Sequence, residues 1–242
     1  MGAKGILTTF GCALALLVAA LVASAQETAP AQAAPTAAER VAAIKASLAQ
    51  SMQNLKQYQW LETTAVSLKG EEKSETQNNC QYGADGKVVK TPVAAPAEDD
   101  KKRGVRGKII ANKTEDMAEY VQSCVALVKS YIPPDPAKIQ AAKDAGKVSM
   151  TVLEPGKRVK IDIKDYEKTG DDLGIEVDMA TNQILGLSVA SYLTDASDAV
   201  TLDVRMAALA DGTGYPSTIT LDGKSKQVQV AVTNSAYQKK AN

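Results

Sequence analysis

The feature that most constrains the fold is the alternation of apolar and polar residues from position 147 to position 237. Successive residues of a β-strand point to opposite faces, so this period indicates strands with one buried face and one exposed face. Short turn sequences such as Pro155-Gly156 and Thr181-Asn182 separate the runs, and connections this short join antiparallel neighbours. The sequence therefore predicts an antiparallel meander of about seven strands, whose apolar face other elements must cover.

An N-terminal helix is the first element predicted to cover the sheet. A capping box at Thr36 to Glu39 begins it, and its amphipathic pattern continues to about Leu55. Its apolar stripe consists of Val41, Ile44, Leu48, Met52 and Leu55. We expect this stripe to pack on the apolar face of the meander.

Three further strands are predicted after that helix, at about 58–68, 76–82 and 87–91, because β-branched and aromatic residues alternate with glycine-containing turns. Residues 92–107 mix Pro and Ala with acidic and basic doublets that neutralise each other. This composition predicts a solvated loop rather than a binding patch.

A central helical pair follows the loop. Acidic residues after Thr114 predict the start of the second helix, and Pro133-Pro134 ends it. Asp135 then caps a short third helix that is closed by Gly146. Together with the meander, these elements predict an α+β fold in which a sheet packs against an N-terminal helix and a central helical pair.

The N-terminus has the pattern of a secretory signal. Lys4 precedes an apolar stretch from Ala13 to Val22, and Ala23-Ser24-Ala25 offers a cleavage site. A membrane anchor is the alternative, but a spanning helix needs about 20 apolar residues. We therefore expect residues 1–25 to be removed, 26–36 to form a flexible leader, and 37–242 to form one periplasmic or secreted domain with no stable membrane span.

Charge and motifs exclude several classes of function. The chain carries 28 basic and 28 acidic residues with no basic block, which argues against a nucleic-acid partner. It contains no His, so Ser–His and Cys–His pairs are excluded, and it lacks GxSxG, Walker and GxGxxG motifs. A carboxylate pair across strands remains open, but the sequence predicts no enzyme, no metal site and no cofactor.

Two cysteines remain after signal cleavage, Cys80 and Cys124. In an oxidising compartment they can form a disulfide, which would tie the second strand to the second helix and stabilise the fold by about 4 kcal/mol. The alternative is a pair of buried free thiols, because Cys packs readily as a small apolar side chain.

The order of helix, strands, helical pair and long meander behind a signal resembles the LolA/LolB-like periplasmic lipoprotein carriers and their sigma-regulator relatives. The resemblance lies in Leu55-Lys56-Gln57-Tyr58 with the following strand, in Lys157–Ile163, in the hairpin from Asp178 to Gly186, and in the hairpin from Ser217 to Asn234. It implies a strongly curved, incompletely closed barrel that wraps helices around a hollow for acyl chains.

Composition adds a reason to expect a hollow, because the only Phe, Phe10, lies in the signal. Without Phe, a face of β-branched and Met side chains is hard to fill. Strand residues predicted to line the hollow are Ile161, Ile163, Ile175, Val177, Leu187, Val189, Leu202 and Val204. Helix residues predicted to lie opposite are Met117, Tyr120, Val121 and Cys124. The alternative is that helix and sheet meet and leave no room.

The function predicted from these observations is that of an exported, non-enzymatic and monomeric protein that binds an apolar ligand, either a lipid or an acylated protein. The alternative is a protein-interaction or envelope-stress-sensing module on the same fold that uses its surface and has no lipid ligand.

Overall fold

The computed structural model describes residues 37–93 and 105–240. The predicted signal, the leader and Thr36 of the capping box lie outside this part of the chain, and so does most of the predicted loop. The elements in chain order are α1 (Ala37–Leu55), β1 (Tyr58–Leu68), β2 (Glu71–Tyr82), β3 (Val88–Pro92), α2 (Val105–Lys129), α3 (Pro136–Asp144), β4 (Val148–Glu154), β5 (Arg158–Lys164), β6 (Asp172–Asp178), β7 (Gln183–Tyr192), a short 3₁₀ helix (Ala196–Asp198), β8 (Ala199–Ala208), β9 (Gly214–Gly223) and β10 (Val228–Lys239).

All ten strands described belong to one antiparallel sheet, in the order β3-β2-β1-β10-β9-β8-β7-β6-β5-β4. The strands β4 to β10 are consecutive neighbours, as the alternating pattern predicts. Strands β3 and β4 lie at opposite ends of the sheet and do not pair with each other, so the sheet stays open. The predicted α+β class, a curved, unclosed antiparallel sheet packed against helices, is confirmed.

A continuous apolar row crosses the middle of the sheet. Ile163 lies opposite Leu173, Leu173 opposite Val189, Val189 opposite Leu202, and Leu202 opposite Leu221. Residues directly opposite each other in a ladder share a face. All five are buried, so this row marks the face that the helices cover.

Helix α2 begins at Val105, earlier than the predicted start at Thr114. Thr114 and its acidic neighbours have the pattern of a first turn, but they lie inside the helix. The preceding Lys, Ile and Ala residues sustain a helix, and a single glycine costs only about 1 kcal/mol. The predicted loop at 92–107 is therefore shorter, because Pro92 ends β3 and residues 105–107 are helical.

The short third helix is confirmed. Asp135 has extended backbone angles, and its Oδ1 accepts a hydrogen bond from the Ala137 amide at 2.8 Å. Gly146 follows the helix with a φ of 70°, a left-handed conformation that favours glycine.

Candidate functional site

The residues predicted to line a hollow lie together around α2, but within or against the buried core. Tyr120, Cys124, Ile163, Val189 and Leu202 belong to the core, and Met117, Val121, Ile161, Ile175, Leu187 and Val204 pack against it. Val177 is also buried, although it lies outside that cluster. This placement favours a packing role for the set, and a ligand-binding role for any of these residues stays a prediction.

The contact between α2 and the sheet is very close. The ring of Tyr120 lies over Gly223 of β9, where an added Cβ would come within 2.5 Å of a ring carbon. The Tyr120 hydroxyl donates a hydrogen bond to Asp198 Oδ1 at 2.8 Å. Burial raises the pKa of Tyr120 to about 12, so the phenol stays protonated and able to donate.

A buried polar group fixes the chain just after α2. The hydroxyl of Tyr131 lies 2.5 Å from Asp171 Oδ2 and 2.8 Å from Ser191 Oγ. Asp171 also accepts hydrogen bonds from the backbone amides of residues 166–168. The Asp171 carboxylate is surrounded by hydrogen-bond donors from the protein itself. We therefore interpret it as a structural anchor and not as part of a ligand site.

An open apolar groove lies instead beside α1, next to the first residues of β7 and β9 and the last residues of β8. We call it the α1 groove. Its cavity volume is about 220 Å³. It is lined by Ile44, Ser47, Leu48, Ser51, Met52, Leu55, Tyr82, Gln183, Ile184, Leu185, Met206, Ala207, Ala208, Gly214 and Pro216. These side chains are mostly apolar, and none of them is charged.

Hydrogen bonds hold α1 at one side of the groove. Ser51 Oγ accepts from the Gly214 amide at 3.0 Å, and Asn54 Nδ2 donates to Thr213 Oγ1 at 3.0 Å. Thr213, in the turn between β8 and β9, is buried. The C-terminal part of the helix is therefore tied to this turn by polar contacts.

The predicted packing of the α1 stripe is wrong for two of its members. Leu55 is buried, but Leu48 remains 37% exposed and Met52 58% exposed. The floor opposite them includes Ala208 and Gly214, which are too small to fill the space. Ile44 lines the groove, and the side chain of Val41 lies outside the described part of the structure.

A cluster of aromatic rings lies beside one wall of the groove. Tyr82 lines the groove, and its ring centre lies 5.6 Å from that of Trp60. Trp60 stacks on Tyr237 with 10° between the ring planes, and the ring centres of Tyr237 and Tyr215 lie 4.3 Å apart. The Trp60 Nε1–H donates to Asn234 Oδ1 at 3.0 Å, which satisfies the buried indole. The rings around Tyr82 therefore pack against one another.

The predicted disulfide is not formed, because Cys80 and Cys124 are both free and buried. Cys80 lies in β2 near Glu62 and Lys90, whereas Cys124 lies in α2 near Tyr120. Burial raises the pKa of both thiols. The structure therefore supports the alternative of two buried free thiols that pack as small apolar side chains.

Other site chemistry is limited in the part of the chain that the structure describes. Within residues 37–93 and 105–240, no group of three His, Cys, Asp or Glu side chains is placed to hold a metal ion. No helix among these residues is long and apolar enough to cross a membrane. Two other pockets among the described residues, of about 290 and 260 Å³, are lined largely by polar and charged residues, so the α1 groove is the apolar candidate site.

No protein-family model and no curated protein sequence matches the chain. Solved structures do resemble it. A LolA superfamily protein from Nitrosomonas europaea matches with a TM-score of 0.36 and 7% identity, over 82% of this chain and 94% of that one. A DUF1329 family protein from Desulfovibrio piger matches with a TM-score of 0.34 and 12% identity, over 83% and 94%. A chain of the Pseudomonas aeruginosa MucA/MucB complex matches with a TM-score of 0.21 and 8% identity, over 82% and 98%. The predicted architectural resemblance to LolA-like proteins is confirmed, and it concerns architecture alone.

Sequence reasoning missed the floor of the groove for a local reason. The β6–β7 pairing shifts between Glu176 and Val177, and the β8–β9 pairing shifts between Arg205 and Met206. Irregularities like these change which side chains come together, and alternation along one strand does not reveal them. The sequence did contain one signal: the small residues Ala207 and Ala208 follow the larger apolar residues of β8.

Proposed function

We propose that this chain is an exported, non-enzymatic binding protein that holds the apolar part of a lipid, or of a lipid-modified protein, in the α1 groove. The observation that carries the proposal is the open groove of about 220 Å³ between α1 and the sheet. Export is supported by the signal-like N-terminus. Mass spectrometry of the mature protein tests it, because cleavage after Ala25 leaves Gln26 as the first residue.

The size of the groove restricts the ligand. A closed apolar cavity of about 150 Å³ binds benzene, so 220 Å³ corresponds to about nine carbon atoms at the same density. Drug-sized ligands occupy about 300–1,000 Å³. The groove is therefore matched to one section of a single acyl chain, with the rest of the ligand extending outside.

The chemistry of the lining predicts how such a ligand is held. Burying about nine CH₂ groups contributes about 7 kcal/mol before the costs of association are subtracted. This is less than the value of about 8.2 kcal/mol for a 1 μM dissociation constant, so we expect binding weaker than 1 μM. Because the lining carries no charged side chain, we expect binding to depend on chain length and only weakly on salt.

Titration with a fluorescent fatty acid tests the proposal. The variant Ala208→Trp places a large ring on the groove floor, and we expect it to abolish probe binding while the melting temperature stays close to that of the wild type. The control is Ala190→Trp, an exposed alanine in β7 outside the groove. We expect that variant to bind the probe normally. A wild-type protein that binds no probe, or equal binding by all three proteins, would contradict the proposal.

A second candidate function is the docking of a partner peptide. The exposure of Leu48 and Met52 favours it, because apolar side chains on one helix face are typical anchors for another chain. Mass spectrometry of gently purified protein separates the two candidates. Co-purified lipid supports the first, and lipid-free protein that binds no fatty acid supports the second.

A further inference from the structure

The two outer strands of the sheet differ in how their edges are protected. Strand β3 has five residues and includes Lys90 and Pro92, which are common protections of an edge, although Val88 and Val89 are partly exposed. Strand β4 has seven residues, Val148–Glu154, with no Pro and no charge before its last residue. Its side chains at positions 150, 152 and 153 are 65%, 57% and 43% exposed. An unprotected apolar edge of this kind is a template for pairing with another strand.

The free backbone groups of β4 can be located from its pairing with β5. Lys164 donates its amide hydrogen to the Lys147 carbonyl at 2.9 Å, and Val148 lies opposite Ile163. In an antiparallel ladder, hydrogen-bonded and non-hydrogen-bonded pairs alternate. The N–H and C=O groups of Val148, Met150 and Val152 therefore point away from β5, toward the open edge.

We propose that the outer edge of β4 forms the interface of a homodimer, in which β4 pairs antiparallel with β4 of a second copy about a two-fold axis at Met150. This register places Met150 opposite itself, and Val148 of each copy opposite Val152 of the other. It keeps the apolar residues of both copies on one face. Ser149 and Thr151, on the other face, then lie opposite each other. A partner strand with this pattern is present in the chain itself, so no other sequence is required.

Charges at the ends of β4 do not oppose the pairing of two copies. At one end Lys157 and Arg158 share the carboxylate of Glu154, and Arg158 also contacts Glu176 at 3.3 Å. At the other end Lys147 is paired with Asp165, and the neighbouring Lys143 and Asp144 are both exposed. Basic and acidic side chains therefore occur together at each end, and the two-fold register brings no block of like charge together.

Cysteine cross-linking tests the register. Residues in a hydrogen-bonded antiparallel pair have Cα atoms about 5.5 Å apart, within disulfide range. We expect Met150→Cys to form a disulfide-linked dimer under mild oxidation by dissolved oxygen. Thr151→Cys is the control, because its two copies would lie about 8 Å apart, beyond disulfide range. The native thiols are buried, so the wild type should not cross-link.

Analytical ultracentrifugation tests the interface without cross-linking. We expect the wild-type mass to rise toward that of a dimer with concentration, and Met150→Lys to weaken association by about ten-fold or more. Val88→Lys on β3 should leave association unchanged. The proposal is overturned if the wild type remains monomeric and Met150→Cys does not cross-link, which would leave the edge for a strand of a different protein. Equal cross-linking of Thr151→Cys would overturn the register. A dimer would also revise the sequence-based expectation of a monomer.

Discussion

Helices α1 and α2 cover parts of one sheet face and leave it in different states. Along β8, Leu202 packs in the core with α2, whereas Ala208, six residues further along the strand, lines the α1 groove. Under α2 a glycine admits a tyrosine ring. Under α1 the small residues Ala208 and Gly214 lie opposite each other in the sheet, so space remains between the helix and the strands.

The difference teaches that an amphipathic stripe specifies which face of a helix turns toward the sheet, but not whether the contact is filled. Filling requires complementary volumes, and α2 achieves this with Tyr120 over Gly223. Helix α1 is held by Ser51 and Asn54 to the turn between β8 and β9, so it can stay in place without filling the groove. Such a groove is available to an external apolar group.

The largest expected effect is in the filled region. Leu173 is fully buried in the core beneath α2, and Leu173→Ala removes apolar volume that its close-packed neighbours cannot replace. We expect the free energy of unfolding to fall by about 2–5 kcal/mol, measured by urea denaturation. A loss below about 1 kcal/mol would mean that this region is not packed as described.

The second effect concerns the polar anchor after α2. Tyr131→Phe removes a hydroxyl that contacts Asp171 and Ser191, both of which are buried. We expect a loss of about 1–3 kcal/mol, because Asp171 loses one of its buried hydrogen bonds and Ser191 Oγ loses its contact with the Tyr131 hydroxyl away from water. Tyr192→Phe is the matched control, since its hydroxyl donates to the exposed Thr169 carbonyl at 2.9 Å. If both variants lose the same stability in urea denaturation, the buried anchor has no special role.

The strands of the meander could be predicted from sequence because each buries one face. The same reasoning missed the first part of β2, which begins at Glu71 rather than at residue 76. Its residues there are polar and exposed, and backbone pairing with β1, such as Ser67 opposite Glu72, forms the strand. A strand with no buried face shows no alternation of apolar and polar residues, so the sequence pattern does not predict it.

The candidate site was predicted less well than the fold. The sequence identified the α1 stripe and the apolar sheet residues, and it predicted a hollow under α2, where Tyr120 and Tyr131 are buried in the core. Ligand binding under α2 stays a prediction, and the sequence did not identify the groove beside α1. Whether a gap remains depends on contacts between residues far apart in the chain, such as Ser51 with Gly214. That information is carried by tertiary register and volume, so periodicity alone could not supply it.

The third prediction tests how α1 is held by changing pH. Asp211 accepts a hydrogen bond from the Tyr58 hydroxyl at 2.5 Å and from the Thr213 amide at 3.1 Å. Mainly through Tyr58, and then through Thr213, the pKa of Asp211 falls from its ordinary 3.8 to about 2. A lowered pKa in the folded state stabilises the protein above about pH 4, and this stabilisation is lost as the pH falls toward 2.

We therefore expect Asp211→Asn to lower the melting temperature at pH 6, and the difference from the wild type to shrink between pH 4 and pH 2. Tyr58→Phe should reproduce much of this pH dependence, because it removes the hydrogen bond that lowers the Asp211 pKa most. A difference that stays constant down to pH 2 would show that the Asp211 carboxylate is not the group responsible.

The smallest expected effect on stability separates the two regions most sharply. Leu48→Ala deletes the same atoms as Leu173→Ala, but Leu48 is 37% exposed and borders an open groove. Only part of the transfer free energy is lost and no closed cavity is created, so we expect a cost below about 1 kcal/mol in urea denaturation. The same variant should weaken fatty-acid binding, because Leu48 contributes to the groove wall. A cost equal to that of Leu173→Ala would show that α1 is packed as tightly as α2, and that the groove is closed in solution.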